Sequence, residues 1–312
     1  MSYASTVDWP EHPPFARWAP TARTLQLWTQ VVGKVRLHLS PWLNHGWQVP
    51  LYVTARGLGT TAIHDRGAIF EIDLDFVDHR LVLRRSDGPD SGFALAPMSV
   101  ATFYRRLMAL LADAGHPVTI DIMPNEMPDP VAFPDDEGHH DYDAAAVHAW
   151  WRALVQADRV FRHFRTGFLG KASPVHFFWG SFDLAVTRFS GARAPLHPGG
   201  VPFLPDAVTR EAYSHEVSSA GFWPGDDAHE ASFYSYAYPA VPGFADAAVG
   251  PAGAVWEAAL GEWLLPYAAV RAAPDPDATL LEFLEATYRA ASGHWPEGLN
   301  CGLGVPGVPR VV

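Results

Sequence analysis

Cysteine and lysine are almost missing from this 312-residue chain: Cys301 stands alone, and Lys34 and Lys171 are the two lysines. One cysteine rules out an intramolecular disulfide, a cysteine-rich zinc site and a CxxC redox pair. Positive charge is scarce too, with 22 Lys+Arg against 34 Asp+Glu and a formal charge of -12. Nucleic-acid binding draws on a basic surface that displaces counterions, and a polybasic membrane anchor needs the same, so neither partner is expected. The longest apolar stretch, residues 247–273, is broken by Pro251, Glu257, Glu262 and Pro266, so it is too interrupted to span a bilayer. The opening MSYASTVDWPEHPPF has early acids and prolines and no apolar core of a secretory signal, so a cytoplasmic protein is expected. Walker A, G-x-G-x-x-G, H-E-x-x-H and G-x-S-x-G motifs do not occur, which tells against nucleotide-dependent, zincin and α/β-hydrolase chemistry.

What the chain has is apolar mass. Hydrophobic residues make up 48% and aromatics 13%, enough for a large core, while 26 glycines and 28 prolines demand many turns. Leu25, Trp28, Val31, Val32 and Val35 recur at helical spacing over 24–35, with Gly33 expected to fray the helix early. Phe70 to Phe76 alternates apolar and acidic residues, the mark of a strand with one buried face and one carboxylate face. Leu81–Leu83 runs back beside it as a hairpin. Ser99 opens a helix closed by Gly115, and 118–122 reads as a short strand. Asp143 opens the longest helix, reaching about Phe168. Residues 174–179, 182–189, 211–222 and 232–238 read as strands. The Ala-rich remainder reads as helix, its last segment starting at Asp275-Pro276 and ending at Gly293.

Two segments share one order of residues. Gly33-Lys34, Ser40-Pro41, His45, Trp47, Val53-Thr54 and Arg56 are echoed by Gly170-Lys171, Ser173-Pro174, His176, Trp179, Val186-Thr187 and Arg188. Self-similarity at one period is a sign of repeated architecture. The expected fold is α+β: two related halves, each a helix-flanked antiparallel sheet, arranged about a pseudo-twofold axis in a helix-grip-like manner. The expected organisation is an N-terminal arm over 1–20, a first half over 21–125, an acidic Pro-rich connection over 126–142, and a second half over 143–312. A cleft between halves is a preferred place for a ligand.

The segments SPVHFFWGSFDLAVTRFSG (173–191), EAYSHEVSSAGFWPG (211–225), TLQLWTQVVGKVRL (24–37), LYVTARGL (51–58) and DFVDHRL (75–81) together resemble a bacterial domain-of-unknown-function family, number 5996. The resemblance covers most of the chain. It implies one family rather than a fusion, and no activity. It also implies a second histidine near Asn44-His45, where this chain has Gln48, which weakens a metal role for that segment.

Two constellations remain as candidate chemistry. Imidazoles and carboxylates serve as acid/base groups or as ligands of a divalent transition metal, the cofactor such a donor set would take. His176, His215, Glu216 and Asp183 are the catalytic candidates, and His176, His197 and His215 the metal-ligand candidates. On a regular strand His215 and Glu216 point to opposite faces, so both serve one ion only across a bulge. Lys34, Arg56, Lys171 and Arg188 occupy matching places in the two repeats and, with Trp179, are the candidate binding set for a small anionic molecule. Arg188 continues an apolar strand face, so its guanidinium must be paired or must meet a ligand anion. The functional expectation is an enzyme acting on a small anionic substrate between the halves. The alternatives are a non-catalytic small-molecule binder or an assembly protein.

Overall fold

The computed structural model describes residues 8–201 and 203–295. Cys301 lies outside the described residues. The first half opens with α1 (Phe15–Leu39), followed by the short strands β1 (Tyr52–Val53), β2 (Gly57–Gly59) and β3 (Ile63–Asp65). The hairpin β4 (Ala68–Asp75) and β5 (Arg80–Arg85), then β6 (Ser91–Ala94) and α2 (Val100–Asp113), complete it. The second half opens with α3 (Ala144–Thr166), then β7 (His176–Phe178), β8 (Asp183–Arg193), α4 (Asp206–Ala212), β9 (His215–Gly225) and β10 (Glu230–Tyr238). It closes with β11 (Val255–Glu257), β12 (Glu262–Pro266), α5 (Tyr267–Ala272) and α6 (Pro276–Ser292).

The fold is α+β with two six-stranded antiparallel sheets. The first has the order β1-β2-β4-β5-β6, with β3 also paired to β4, and the second has β11-β12-β10-β9-β8-β7. Each half therefore runs helix, antiparallel strands, helix. The halves meet where their first strands meet. Leu51 and Phe177 exchange both backbone hydrogen bonds, each 2.9 Å, so the contact is locally two-fold. The swap continues in side chains: Trp179 of the second half lies on Gly33 of the first, and Lys171 of the second lies over Trp47 of the first.

Caps set several element ends. Ser99 Oγ accepts from Thr102 N at 3.1 Å, Asp143 from Ala145 N and Ala146 N, and Asp275 from Ala278 N. Alternation sets the sheets. Leu58, Leu74, Leu81 and Phe93 lie abreast on the inner face of the first sheet. Leu184, Phe222, Phe233 and Leu265 do so in the second. Stacked rings tie α1 to α2, Trp28 on Phe103 at 4.8 Å, and α3 to the residue before β8, Trp150 on Phe182 at 4.8 Å. Each such fully buried aromatic contributes about 1.5–3 kcal/mol by area alone.

Five local expectations change. The first helix begins at Phe15, inside the segment read as an arm, and passes through Pro20; burial of Phe15, Trp18 and Ala22 offsets the lost hydrogen bond. It also passes unfrayed through Gly33, where the Trp179 indole packs on the bare backbone: a Cβ there would sit 2.1 Å from Trp179 Nε1. Residues 118–122 carry no strand, and Glu211 lies in α4 rather than in a strand. The Ala-rich remainder contains β11 and β12, whose Trp263 and Leu265 complete the second sheet's inner layer. No helix among the described residues is long and apolar enough to cross a membrane.

Candidate functional site

The strand period that sends Leu184, Val186 and Arg188 inward sends Asp183, Ala185, Thr187 and Phe189 outward. In register with them stand Val217, Ser219 and Gly221 of β9, Tyr234, Tyr236 and Tyr238 of β10, and Glu262 and Leu264 at β12. The outer face of the second sheet is thus a row of hydroxyls flanked by acids and tyrosines. It does not open flat to solvent. Residues 123–130 fold over one side, where the Gln30 side chain grips the Asn125 backbone through two 2.8 Å bonds. Asn125 Nδ2 in turn donates to Phe203 O at 2.9 Å, joining that segment to the loop before α4.

Three carboxyls face this volume. Asp183 is buried; Tyr234 donates to one of its oxygens and Ser181 Oγ to the other at 2.9 Å. Burial pushes Asp183 up to about 6 against those hydrogen bonds. Glu126 is held at φ 56, against Gly180, whose missing Cβ would lie 2.1 Å from Glu126 Oε1. Burial, and then the charge of Asp183, push Glu126 and Glu262 each up to about 7. Neither glutamate has a hydrogen bond or ion pair with a described residue. Tyr213 and Tyr236 join hydroxyls at 2.9 Å beside them, and Thr187 and Ser219 do so at 2.9 Å in the next row.

Beyond that row the sign of charge reverses. Lys171 Nζ donates to His45 Nε2 at 2.6 Å and lies between the rings of Trp47 and Phe189, 5.3 and 4.9 Å from their centroids. His45 Nδ1 faces the carbonyls of Glu211 and Ala212 at 3.2 and 3.3 Å. Two carbonyl acceptors require Nδ1–H, which leaves Nε2 as the acceptor for the ammonium. The ring of His215 is 5.9 Å from that of His45, and Arg193 is its cross-strand partner. Burial lowers the pKa of Lys171, of His45 and of His215; the Lys171 charge lowers both histidines further. None of Lys171, His45, His215 and Arg193 has a carboxylate partner among the described residues.

The other candidates do not join the Lys171–His45–His215 group. His176 is fully buried among Trp47, Tyr52 and Phe178, neither ring nitrogen has a hydrogen-bond partner among the described residues, and burial drives its pKa to about 3. His197 stacks on Tyr213 at 5.0 Å, and its Nδ1 accepts from Gly199 N. No group of three His, Cys, Asp or Glu side chains among the described residues is placed to hold a metal ion, so His176, His197 and His215 do not converge. Glu216 accepts from Ser190 Oγ at 2.8 Å.

The four repeat cations do not converge either, because each finds its own partners. Lys34 is buried, donates to Met123 O and lies 3.5 Å from Asp121. Arg56 pairs with Asp75 and Asp78 on the outside of the first sheet. Arg188 is on the inner face, donating to Phe164 O at 2.7 Å and Glu285 at 3.2 Å. Trp179 donates to Val49 O at 2.9 Å. Among the binding candidates, Lys171 reaches the outer face. The alternation Tyr234, Tyr236, Tyr238 was a visible signal for that face. Glu126 had none, since a Pro-rich loop carries no period.

No curated protein and no solved structure is found to match the chain. A family model described as a family of unknown function, DUF5996, matches residues 9–300. With nearly all of its length matched, and with the motifs of both halves inside the match, the chain belongs to the DUF5996 family.

Proposed function

We propose that the outer face of the second sheet binds a small anionic molecule and exchanges protons with it. The observation that carries this reading is the Lys171–His45–His215 group, with Arg193 beside it. It supplies basic donors from both halves with no described carboxylate to neutralise them, in a chain whose formal charge is -12. A carboxylate or phosphate oxygen would take the Lys171 ammonium and the His215 imidazole as donors. Neutral His45, its tautomer set by two carbonyls, is an acceptor for a proton leaving Lys171 or the bound molecule.

The body of the ligand would lie along Thr187 and Ser219 toward Glu126 and Glu262. Carboxyls titrating near 7 are partly protonated at neutral pH, so they would repel an anion less than ordinary glutamates and can donate a proton to it. The test is a thermal-shift panel of small phosphorylated and carboxylated molecules, repeated on Lys171→Met, which keeps the apolar stem between Trp47 and Phe189. The expected result is stabilisation by at least one compound that the variant loses. Equal stabilisation of both proteins, or none by any compound at millimolar concentration, overturns the reading. Product analysis on a hit then separates an enzyme from a binder.

A further inference from the structure

One stripe of α3 faces away from the core and floors a groove along the seam between the halves. Ala144, Ala145, His148, Ala149 and Arg152 lie under a cavity of about 570 Å³. His148, Trp151, Arg152, Val155 and Asp158 lie under a second of about 700 Å³. The spacing is that of one helix face, and His148 and Arg152 belong to both, so the two hollows are adjacent. The first half supplies a wall of Val53, Thr54, Ala55 and Val77. The segment 8–11 and Arg271 close the other end.

Two charges along this groove have no ion-pair partner among the described residues, Asp8 at its end and Arg152 at its middle. Arg271 pairs with Glu11 at 3.1 Å, and Asp158 with Arg162 at 2.6 Å. Arg152 is exposed and has no carboxylate or hydrogen-bond partner among the described residues. His148 Nδ1 donates to Phe76 O at 3.0 Å, which leaves its Nε2 as a second polar atom at the centre. Beside these lies the apolar part of the lining: Val77 remains 40% exposed, and Trp151 is buried with an indole N–H that meets no acceptor among the described residues.

We infer that this groove is a second ligand site, taking an organic carboxylate with an apolar body. The carboxylate would meet the Arg152 guanidinium, whose planar fork suits two oxygens. The body would cover Val53, Val77, Trp151 and Val155. The hollows fall within the usual size of small-molecule sites. Lys171 and His215, on the second sheet's outer face, do not line this groove, so its occupant does not depend on the site proposed above.

The probe is 4-phenylbutyrate, titrated calorimetrically into the wild-type chain and three variants. Arg152→Met is expected to weaken binding at least tenfold, since it keeps the stem and removes the charge. Ala149→Trp, which fills the groove without altering charge, is expected to abolish binding. Lys171→Met is expected to leave it unchanged. The inference is overturned if the wild-type chain shows no saturable binding up to millimolar probe. It is equally overturned if Arg152→Met binds as the wild type does, or if Lys171→Met is the variant that loses binding.

Discussion

On the outer face of the first sheet Asp73 and Asp75 each meet an arginine. Asp73 lies 2.9 Å from Arg84, which also reaches Asp90 at 2.8 Å, and Asp75 pairs with Arg56. On the outer face of the second sheet Asp183, Glu126 and Glu262 have tyrosines and serines around them and no described cation. Both faces arise from the same strand alternation. They differ in what covers them. The first is open at Arg56 and Arg84, whose side chains are 44% and 45% exposed, so their ion pairs are partly screened. The second is roofed by residues 123–130 and the segment before α4, so its carboxyls keep their protons to higher pH. A face whose acids pair with exposed arginines is a solvated surface, whereas the covered face, with unpaired acids at one end and unpaired bases at the other, is the one proposed above to bind a ligand.

The same contrast separates the matching arginines of the repeat, and it gives the largest expected effect. Arg188 is 1% exposed and is held by Glu285, Phe164 O and the Phe164 ring. Arg188→Ala leaves Glu285 without its cation and is expected to destabilise the fold by about 3–5 kcal/mol in urea titration. Arg56→Ala, at the matching position, is expected to cost clearly less, since Arg56 is itself exposed and Asp75 keeps the Val77 and Asp78 N–H donors. Equal losses would mean that the two positions are not differently covered.

Glycines sharpen the comparison at an intermediate scale. A Cβ on Gly221 of the second sheet would lie 2.3 Å from the Tyr234 hydroxyl and 2.5 Å from the Leu184 carbonyl. On Gly59 of the first sheet it would meet the movable Asp73 carboxylate at 2.5 Å. Gly221→Ala should destabilise by about 1–3 kcal/mol, since backbone must shift, and Gly59→Ala by clearly less. A thermal melt of each variant decides it.

The smallest effect is in pH dependence, and its sign differs between the faces. Glu126 and Glu262 hold protons more tightly when folded. The stability they confer is full below their ordinary value of 4.5 and is lost as pH rises through about 7. For Asp75 burial works upward, but the hydrogen bonds from Arg56 and from the Asp78 and Val77 N–H groups win, and its pKa is lowered. Its contribution is present above its ordinary value of 3.8 and is lost as pH falls through the depressed one. The double variant Glu126→Gln, Glu262→Gln should therefore flatten the decline in stability between pH 5 and 8 seen by urea titration. An unchanged slope would show that these carboxyls titrate normally.

Local signals in the sequence reach far into the fold. Caps at Ser99, Asp143 and Asp275 start helices where expected, and Phe70–Asp75 forms the strand its alternation implied. The echo of Gly-Lys, His and Trp between the halves appears in space as crossed contacts, Trp179 on Gly33 and Lys171 on His45 and Trp47. Glu211 misled because a polar, aromatic-flanked stretch has no clear period, and residues 255–266 misled because alanine-rich composition hides two short strands.

Period, capping and turn chemistry are nearest-neighbour properties, so the order of helices and strands and the two-part plan could be read from one chain. Which cation is buried, which acid keeps its proton and which histidine meets Lys171 depend on residues brought together from far along the chain. His45 lies 126 positions from Lys171, and Gln30 lies 95 from the Asn125 it grips. Desolvation and charge pairing act through space rather than along the backbone. Packing of the halves across Leu51 and Phe177 therefore set the electrostatics that no local pattern encodes.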